Sequence, residues 1–207
     1  MTSIGLLGKK IGMTQIFDKI GHTIPVTILQ IGPCFITQIK TIEKHGYNAI
    51  QIGYSVVPNQ RLSKSELGHL LKDKLPSLRY LKEFKIDSSK KIQIGEKIDL
   101  QDLKIGEYID VQGKNIGKGF TGYQKKHKFT RGPMSHGSKN HRLPGSIGAG
   151  TTPGRVFPGK KMAGRSGNKK VTVKNLEIID IKQNNHIILV KGSVPGKNGN
   201  LVSIKRK

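Results

Sequence analysis

Residues 23–57, TIPVTILQIGPCFITQIKTIEKHGYNAIQIGYSVV, decide the fold. Thr23–Ile31 is rich in Val, Ile and Thr, which are enriched in strands, and Phe35–Thr41 alternates apolar and polar residues. Ala49–Val57 alternates less regularly, and a His-Gly pair marks the turn before it. Short strands separated by Gly, Pro or Asn predict a mainly β fold, with a small closed β-barrel favoured over an α/β unit.

Residues 61–90 differ from this pattern and predict a short helical insert. Ser63 and Glu66 form a capping-box pattern, and leucines at helical spacing follow until Pro76 ends the run. A second short helix is predicted from three apolar residues at helical spacing: Leu78, Leu81 and Phe84. The insert is expected to cover one face or end of the barrel.

Strand patterns return on both sides of a long basic segment. Before it they lie at Lys91–Ile94, Lys97–Leu100 and Tyr108–Val111. After it, Leu176–Lys182 and His186–Lys191 flank an Asn-Asn pair and predict a hairpin. A second hairpin is predicted at the end of the chain, where an Asn-Gly pair precedes another apolar run.

These patterns predict three parts. Residues 1–60, 91–113 and 171–207 form the β-barrel domain, residues 61–90 form the helical insert, and residues 114–170 form a basic, irregular extension. Compact domains rarely contain so long a loop without regular structure, so the extension is expected to be functional.

The basic segment Val111–Leu176 has no Asp or Glu, but it has 15 Lys and Arg, 13 of the chain's 26 Gly and four Pro. Such a segment repels itself and offers little apolar surface, so we expect that it does not fold alone and that residues near 114–170 are disordered in the free protein. A polyanion can order it, because phosphates neutralise lysines and glycines allow close backbone approach. RNA is the polyanion that we expect.

The charge is unevenly distributed along the chain. The net charge is +24, of which residues 1–113 contribute +5 and residues 114–207 contribute +19. Such asymmetry favours one dedicated contact region for nucleic acid over a surface that is merely well solvated.

Composition also excludes several classes of protein. The single cysteine, Cys34, allows no internal disulfide framework and no thiolate zinc cluster, and it favours a reducing compartment. Lys9 and Lys10 interrupt the apolar opening residues, which are therefore not expected to be a signal peptide, and no segment is long enough to span a membrane.

Two glycine-rich runs resemble nucleotide-binding motifs without their context. Gly117–Gly122 (GKGFTG) matches G-x-G-x-x-G, but no apolar helical repeat follows it. The acidic residue that should hold a ribose about 20 positions later is also missing, because no Asp or Glu occurs between the motif and Glu177. Gly154–Lys161 (GRVFPGKK) places Lys161 where a phosphate-binding loop has Ser or Thr. Both runs are better explained by close approach of the backbone to RNA phosphates.

His127, His136 and His141 are the remaining candidates for chemistry. A nuclease or zinc site would need carboxylates or cysteines beside them, and none is near in sequence, so RNA contact is the favoured role. Four aromatic residues lie among the lysines, and they could either stack on bases or anchor against the barrel: Phe120, Tyr123, Phe129 and Phe157.

We therefore predict no catalytic, cofactor or metal site, and an RNA-contact set within the extension. Its members are mostly cationic, with neutral or titratable hydrogen-bonding groups near the middle. They are Lys114, Lys118, Lys125, Lys126, Lys128, Arg131, His136, Lys139, Asn140, His141, Arg142, Arg155, Lys160, Lys161, Arg165, Lys169 and Lys170.

The same segment resembles a known family. Arg131–Arg142 (RGPMSHGSKNHR), Gly145–Gly154 (GSIGAGTTPG) and Arg155–Arg165 (RVFPGKKMAGR) resemble the signature of the ribosomal protein L3 family of the large subunit. Gly5–Phe17 (GLLGKKIGMTQIF) is similar to the family's opening and Val190–Gly196 (VKGSVPG) to its closing segment. The resemblance extends over essentially the whole chain.

The resemblance implies a barrel of the kind shared with translation factors and a long extension. It also implies binding to large-subunit (23S-type) rRNA, an early role in subunit assembly, and an extension that reaches towards the peptidyl-transferase region. The expected partners are this rRNA and neighbouring large-subunit proteins. No membrane, no small-molecule substrate, no enzymatic activity and no homo-oligomer are expected.

Other features suggest where such a ribosome is found. The length resembles the bacterial and organellar form, and Ala-Gly-Thr at 149–151 resembles cyanobacterial and plastid members. Lysine outnumbers arginine 30 to 7, which suits an AT-rich genome such as that of a plastid. A ribosome in the plastid (chloroplast) stroma is expected, with the bacterial cytoplasm as the alternative.

Two other functions are compatible with the charge. A general architectural protein that compacts DNA would also be basic, but the extension has no periodicity that predicts a recognition helix or a β-arm. An RNA-processing enzyme could use the three histidines, but the absence of nearby carboxylates argues against it.

Overall fold

A computed structural model of the chain describes residues 5–86, 92–100 and 103–206. The described residues form two compact units. The described residues of unit 1 lie within Met1–Lys114 and Lys170–Lys207, and unit 2 is Asn115–Lys169. The bounds of unit 2 differ by one residue at each end from those predicted for the extension.

The regular elements are mostly strands, which confirms the mainly β prediction. The strands are β1 (Leu6–Phe17), β2 (Thr23–Ile31), β3 (Cys34–Lys40), β4 (Ala49–Val56), β5 (Leu78–Lys85), β6 (Lys97–Ile98), β7 (Tyr108–Lys114), β8 (Phe120–Thr121), β9 (Gly164–Arg165), β10 (Lys170–Lys182), β11 (Ile187–Lys191) and β12 (Leu201–Arg206). The α-helices are α1 (Ile42–His45), α2 (Lys64–Leu71) and α3 (Tyr123–His127), and short 3₁₀ turns lie at Asn59–Arg61 and Gln183–Asn185.

Six antiparallel strands of unit 1 form a closed barrel in the order β1-β12-β7-β10-β11-β2. Strand β7 shows why: Ile109 and Val111 are fully buried, while Asp110 between them and Gln112 after them are half-buried. This alternation places one face of the strand in the core, where it meets buried residues of other strands such as Leu29 and Ile178. Burial of these aliphatic side chains stabilises the barrel.

A second sheet of unit 1 has the order β5-β4-β3-β6. Helix α2 packs beside it, and Leu70, Leu75 and Leu78 form a small separate apolar cluster. The predicted capping box is confirmed, since Ser63 accepts from the main-chain N–H of Glu66 and the Glu66 carboxylate accepts from that of Ser63.

The second short helix that we predicted in the insert is wrong, because Leu78–Lys85 is strand β5, paired with β4. The three-residue apolar spacing arises because both faces of the strand are partly covered. Phe84 packs against the large core cluster, whereas Leu81 packs against the cluster around Leu70.

The hairpin predicted at the end of the chain is also wrong. Strand β11 pairs with β10 and β2, whereas β12 pairs with β1 and β7. The Asn198-Gly199 turn therefore joins strands that are not neighbours, and it is held by the N–H of Gly199, which donates to the Lys10 carbonyl at 2.7 Å. The other predicted hairpin, between β10 and β11, is confirmed.

Two further outcomes concern strand positions. Strand β1 was not predicted, because glycines and lysines interrupt its apolar residues. Of the predicted strand Lys91–Ile94, Lys91 lies outside the described residues, and residues 92–94 are not in a strand.

Candidate nucleic-acid interface

Unit 2 begins as a narrow stem of two antiparallel segments. The N–H of Asn115 donates to the Lys169 carbonyl at 3.0 Å, and the N–H of Lys118 donates to the Ser166 carbonyl at 2.9 Å. Strands β8 and β9 continue this pairing for two residues each. The stem brings the two ends of the extension together, so that the segment between them is one closed loop.

Gly167 is required where the stem is narrowest. A Cβ atom at this position would lie 2.1 Å from the main-chain oxygen of Ile116, and the backbone φ is +74°. Because of both the close approach and the left-handed conformation, any residue other than glycine would be destabilising here.

Helix α3 and the residues after it form a small aromatic cluster beyond the stem. The rings of Tyr123 and Phe129 stack with centroids 6.0 Å apart, and the His127 ring lies 5.9 Å from Phe129. His127 Nε2 lies 2.9 Å from the Met162 carbonyl, which also accepts from Lys126 Nζ at 3.2 Å. These contacts give the two aromatic residues a packing partner within unit 2, an option that the sequence had not suggested.

Residues 132–141 form a compact loop next to this cluster. A Cβ atom on Gly132 would lie 2.4 Å from the Asn140 carbonyl oxygen, so the chain returns closely upon itself. The Gln124 side-chain amide donates to the His141 carbonyl at 3.1 Å. His141 Nδ1 is buried without a hydrogen-bond partner in the described structure, whereas His136 is exposed.

The remainder of the loop is wholly exposed. Every residue from 142 to 161 lies at the surface, and no residue from 115 to 169 is buried. The side chains at this surface are cationic, small or apolar, and Leu143, Ile147 and Val156 are exposed. The Arg155 guanidinium lies 5.9 Å from the centre of the exposed Phe157 ring. Unit 2 therefore has no apolar core of its own, which agrees with its low apolar content.

The predicted contact residues are almost all accessible. Fifteen of the seventeen are exposed, and Lys126 and His141 are half-buried. Two of the exposed residues, Lys114 and Lys170, belong to unit 1, where they are direct cross-strand partners on β7 and β10. The three histidines lie at different places: His127 on helix α3, His136 within the compact loop 132–141, and His141 at the end of that loop.

Other parts of the described structure lack the marks of a reactive site. No three His, Cys, Asp or Glu side chains come together among the described residues as they would around a metal ion. Burial raises the pKa of the Cys34 thiol to about 11, so the thiol stays protonated at neutral pH. No helix in the described ranges is long and apolar enough to cross a membrane.

Sequence comparison identifies related proteins along the full chain. The sequence profile of the ribosomal protein L3 family matches residues 82–186. The large ribosomal subunit protein uL3c of Gracilaria tenuistipitata var. liui is 65% identical over 97% of this chain and 98% of its own length. The uL3c protein of Trieres chinensis is 63% identical over 98% of both chains.

A cyanobacterial relative extends this similarity. The large ribosomal subunit protein uL3 of Synechococcus sp. is 58% identical over 98% of this chain and 95% of its own. Identity at this level over nearly the whole length includes both the barrel of unit 1 and the exposed loop of unit 2. The chain is therefore a member of the ribosomal protein L3 family, as its basic segment had led us to expect.

Proposed function

We propose that this protein is a structural constituent of the large ribosomal subunit and binds the rRNA of that subunit. The observation that carries this proposal is unit 2, a loop of 55 residues without a buried side chain or a carboxylate, in a chain of this family. An exposed polycation of this kind gains stability only when phosphates neutralise it. Its glycines allow the backbone to approach RNA closely.

The two units have different roles in this proposal. The closed barrel of unit 1, which we propose is of the type shared with translation factors, supplies a rigid surface that docks on RNA helices and supports early assembly. The loop of unit 2 threads between RNA segments and reaches towards the peptidyl-transferase region. The predicted contact residues in the loop act by neutralising phosphates and by hydrogen bonding, without covalent chemistry.

The same reasoning assigns partners and location. Large-subunit rRNA and neighbouring large-subunit proteins are the partners, and the plastid stroma is the compartment. The similarity to proteins named uL3c and to a cyanobacterial uL3 supports the plastid assignment.

Co-sedimentation tests the proposal. A tagged copy of the chain is expressed in cyanobacterial cells, and ribosomal subunits are separated on sucrose gradients after a wash at high salt. The tag should remain with the large subunit and not with the small subunit. Its release into the top fractions, or its recovery with chromosomal DNA, would contradict the proposal.

A further inference from the structure

A groove lined by residues of unit 1 has the lining of an anion site. Its volume is about 650 Å³, and its walls come from strands β5, β7, β10 and β12 together with the turn before β12. Three of the lining residues are lysines and none is Asp or Glu: Lys82, Lys114 and Lys170. The groove therefore gathers positive charge without a counter-ion of its own.

Two of these lysines are placed against each other by the barrel. Lys114 and Lys170 are direct partners in the β7–β10 register. Like charges that face each other across a strand pair destabilise a sheet. An anion between them would remove this cost.

The third lysine projects from the other sheet. Lys82 is half-buried, and its ammonium group donates to Gln112 Oε1 at 3.0 Å and to Ser203 Oγ at 2.5 Å. Both acceptors are neutral. Burial lowers the pKa of Lys82, and the charge of Lys170 lowers it further, so Lys82 lies within electrostatic reach of Lys170.

The described hydrogen bonds use two of the three donors of the Lys82 ammonium group, which also lies 5.5 Å from the centre of the Phe84 ring. The third donor is available to a ligand in the groove. A half-buried ammonium with only neutral partners gains most from a charged acceptor, because charge-assisted hydrogen bonds are the stronger ones.

Apolar residues line two sides of the groove. Half-buried Tyr80 and Leu81 of β5 lie on one side, and half-buried Leu201 of β12 lies on the other, beside the buried Val202. The volume falls in the range of small-ligand pockets, roughly 300–1,000 Å³. The site is thus larger than a single carboxylate requires, and it combines charge with a surface suited to a ring.

We propose that this groove binds one nucleotide of an RNA strand, with its phosphate among Lys82, Lys114 and Lys170 and its base against the apolar lining. The inference rests on the proposed function and adds a specific RNA contact on unit 1. A phosphodiester followed by a base uses both the three ammonium groups and the apolar surface. An acidic side chain of a protein would use only the former.

A titration of the full chain with adenosine 5′-monophosphate tests the site directly. The backbone amides of Gly113 and Ser203 report on the groove by NMR, whereas amides of residues 115–169 report on the loop. Adenosine 5′-monophosphate should shift the groove amides at lower concentration than inorganic phosphate or acetate does at equal ionic strength. Equal shifts with acetate, or no shift, would overturn the proposal.

Charge-neutralising variants sharpen this test. Lys82→Gln and Lys170→Gln should each weaken the groove response about tenfold or more, since each removes a charged donor. Lys44→Gln, at an exposed lysine of α1, is the matched control and should change nothing. Lys170 is exposed at the start of β10, so its variant should keep the fold even if the half-buried Lys82 does not tolerate replacement. A groove response that survives in folded Lys170→Gln refutes the site.

Cross-linking in purified large subunits identifies the ligand. Ultraviolet irradiation should produce an RNA adduct on the peptide that contains Tyr80 and Lys82. A cross-link from this peptide to a protein, without an RNA adduct, would overturn the proposal and show an acidic segment in the groove. If the chain sediments with the large subunit but lacks the adduct, only this inference fails. If it does not sediment there, the proposed function fails.

Discussion

The ammonium group of Lys10 on β1 donates a hydrogen bond of 2.8 Å to the main-chain carbonyl of Val194, which lies 184 residues further along the chain. The same group donates to the Gly196 carbonyl at 3.3 Å, and only 7% of Lys10 is exposed. Its described acceptors are thus main-chain oxygens. This buried cation fixes the segment between β11 and β12 against the barrel and supports one side of the groove at 199–203.

Replacing Lys10 with Met should destabilise the fold. Methionine has a similar length but no donor, so two inward-facing carbonyl oxygens lose their partner, at a cost of about 1–3 kcal/mol. Urea unfolding of unit 1 measures the change, and Lys44→Met is the control at an exposed lysine. An unchanged unfolding midpoint would mean that water replaces the ammonium group without cost.

The role of Lys10 illustrates what the sequence could and could not predict. Local patterns located β2, β3, α2 and the β10–β11 hairpin, because alternation, capping and turn residues act over short distances. Strand β1 escaped prediction because glycines and lysines interrupt its apolar residues. It pairs with the neighbouring β2, but its pairing with β12 joins residues almost two hundred positions apart, which no local pattern indicates. The strand β5 was mistaken for a helix because both its faces are partly covered.

The two candidate RNA contacts, the basic loop and the groove, also differ in how far the sequence predicts them. The basic loop was visible as a run of residues without carboxylates, since it lies in one continuous segment. The groove was not visible as a site. Lys114 and Lys170 belong to the predicted contact set, but Lys82 comes from a distant part of the chain and only the fold brings it to them. Lys82 lies among ordinary apolar and charged residues of the predicted insert, and nothing in its sequence context distinguishes it.

Glu83 should stabilise the second sheet in a pH-dependent way. Hydrogen bonds from Lys40 and Tyr47 lower the pKa of Glu83, and the Lys40–Glu83 ion pair measures 2.6 Å. A lowered carboxyl pKa gives stability that is present above the ordinary value, about 4.3, and is lost as the pH falls through the folded value.

Glu83→Gln should therefore lower the urea midpoint at neutral pH, and this deficit should shrink as the pH falls through the lowered pKa of the wild-type carboxyl. The exposed Glu43→Gln is the control. The stabilising effect of the ion pair should also be lost at high pH, when Lys40 loses its charge. Hydrogen bonds to Glu83 and Tyr47 raise the pKa of Lys40. Its contribution is complete below the ordinary lysine value, about 10.4, and lost as the pH rises through the folded value. A Gln variant whose deficit stays constant from acid to neutral pH would contradict this reasoning.

Limited proteolysis of the free protein should cut first within unit 2. No residue from 115 to 169 is buried, and residues 142–161 are continuously exposed, so local opening there costs little free energy. Trypsin should cleave at Arg142, Arg155 or Lys160 before any site in the barrel, and added large-subunit rRNA should protect these sites. Equal protection without RNA would show that the loop is ordered by itself.

The loop should supply most of the electrostatic affinity for RNA. If roughly 6–10 phosphates are neutralised, affinity should fall by about 10³–10⁵ between 50 and 200 mM salt. Replacing Lys160, Lys161 and Arg165 with Gln should reduce the slope of log affinity against log salt by about two to three units. A triple variant at exposed lysines outside the loop, Lys19, Lys44 and Lys72, controls for net charge. A slope that changes equally in both variants would place the contacts outside the loop.

The middle of the loop should affect what the assembled subunit does more than whether it assembles. A Cβ atom on Gly148 would have only the Arg155 carbonyl near it, at 4.0 Å, and the backbone there needs no left-handed conformation. The protein itself therefore tolerates a larger side chain at this position. Any effect of added bulk must come from what surrounds the loop in the ribosome.

Gly148→Val should leave the yield of large subunits nearly unchanged and alter the rate of peptidyl transfer or the sensitivity to inhibitors of that centre, with Gly148→Ala giving a smaller change of the same kind. Gly132→Ala is the contrasting variant, because its Cβ would lie 2.4 Å from the Asn140 carbonyl and would distort the loop before any RNA is met. It should reduce RNA binding by the free protein, whereas Gly148→Val should not. If Gly148→Val abolished assembly, or left both assembly and peptidyl transfer unaltered, the proposed reach of the loop towards the catalytic centre would be wrong.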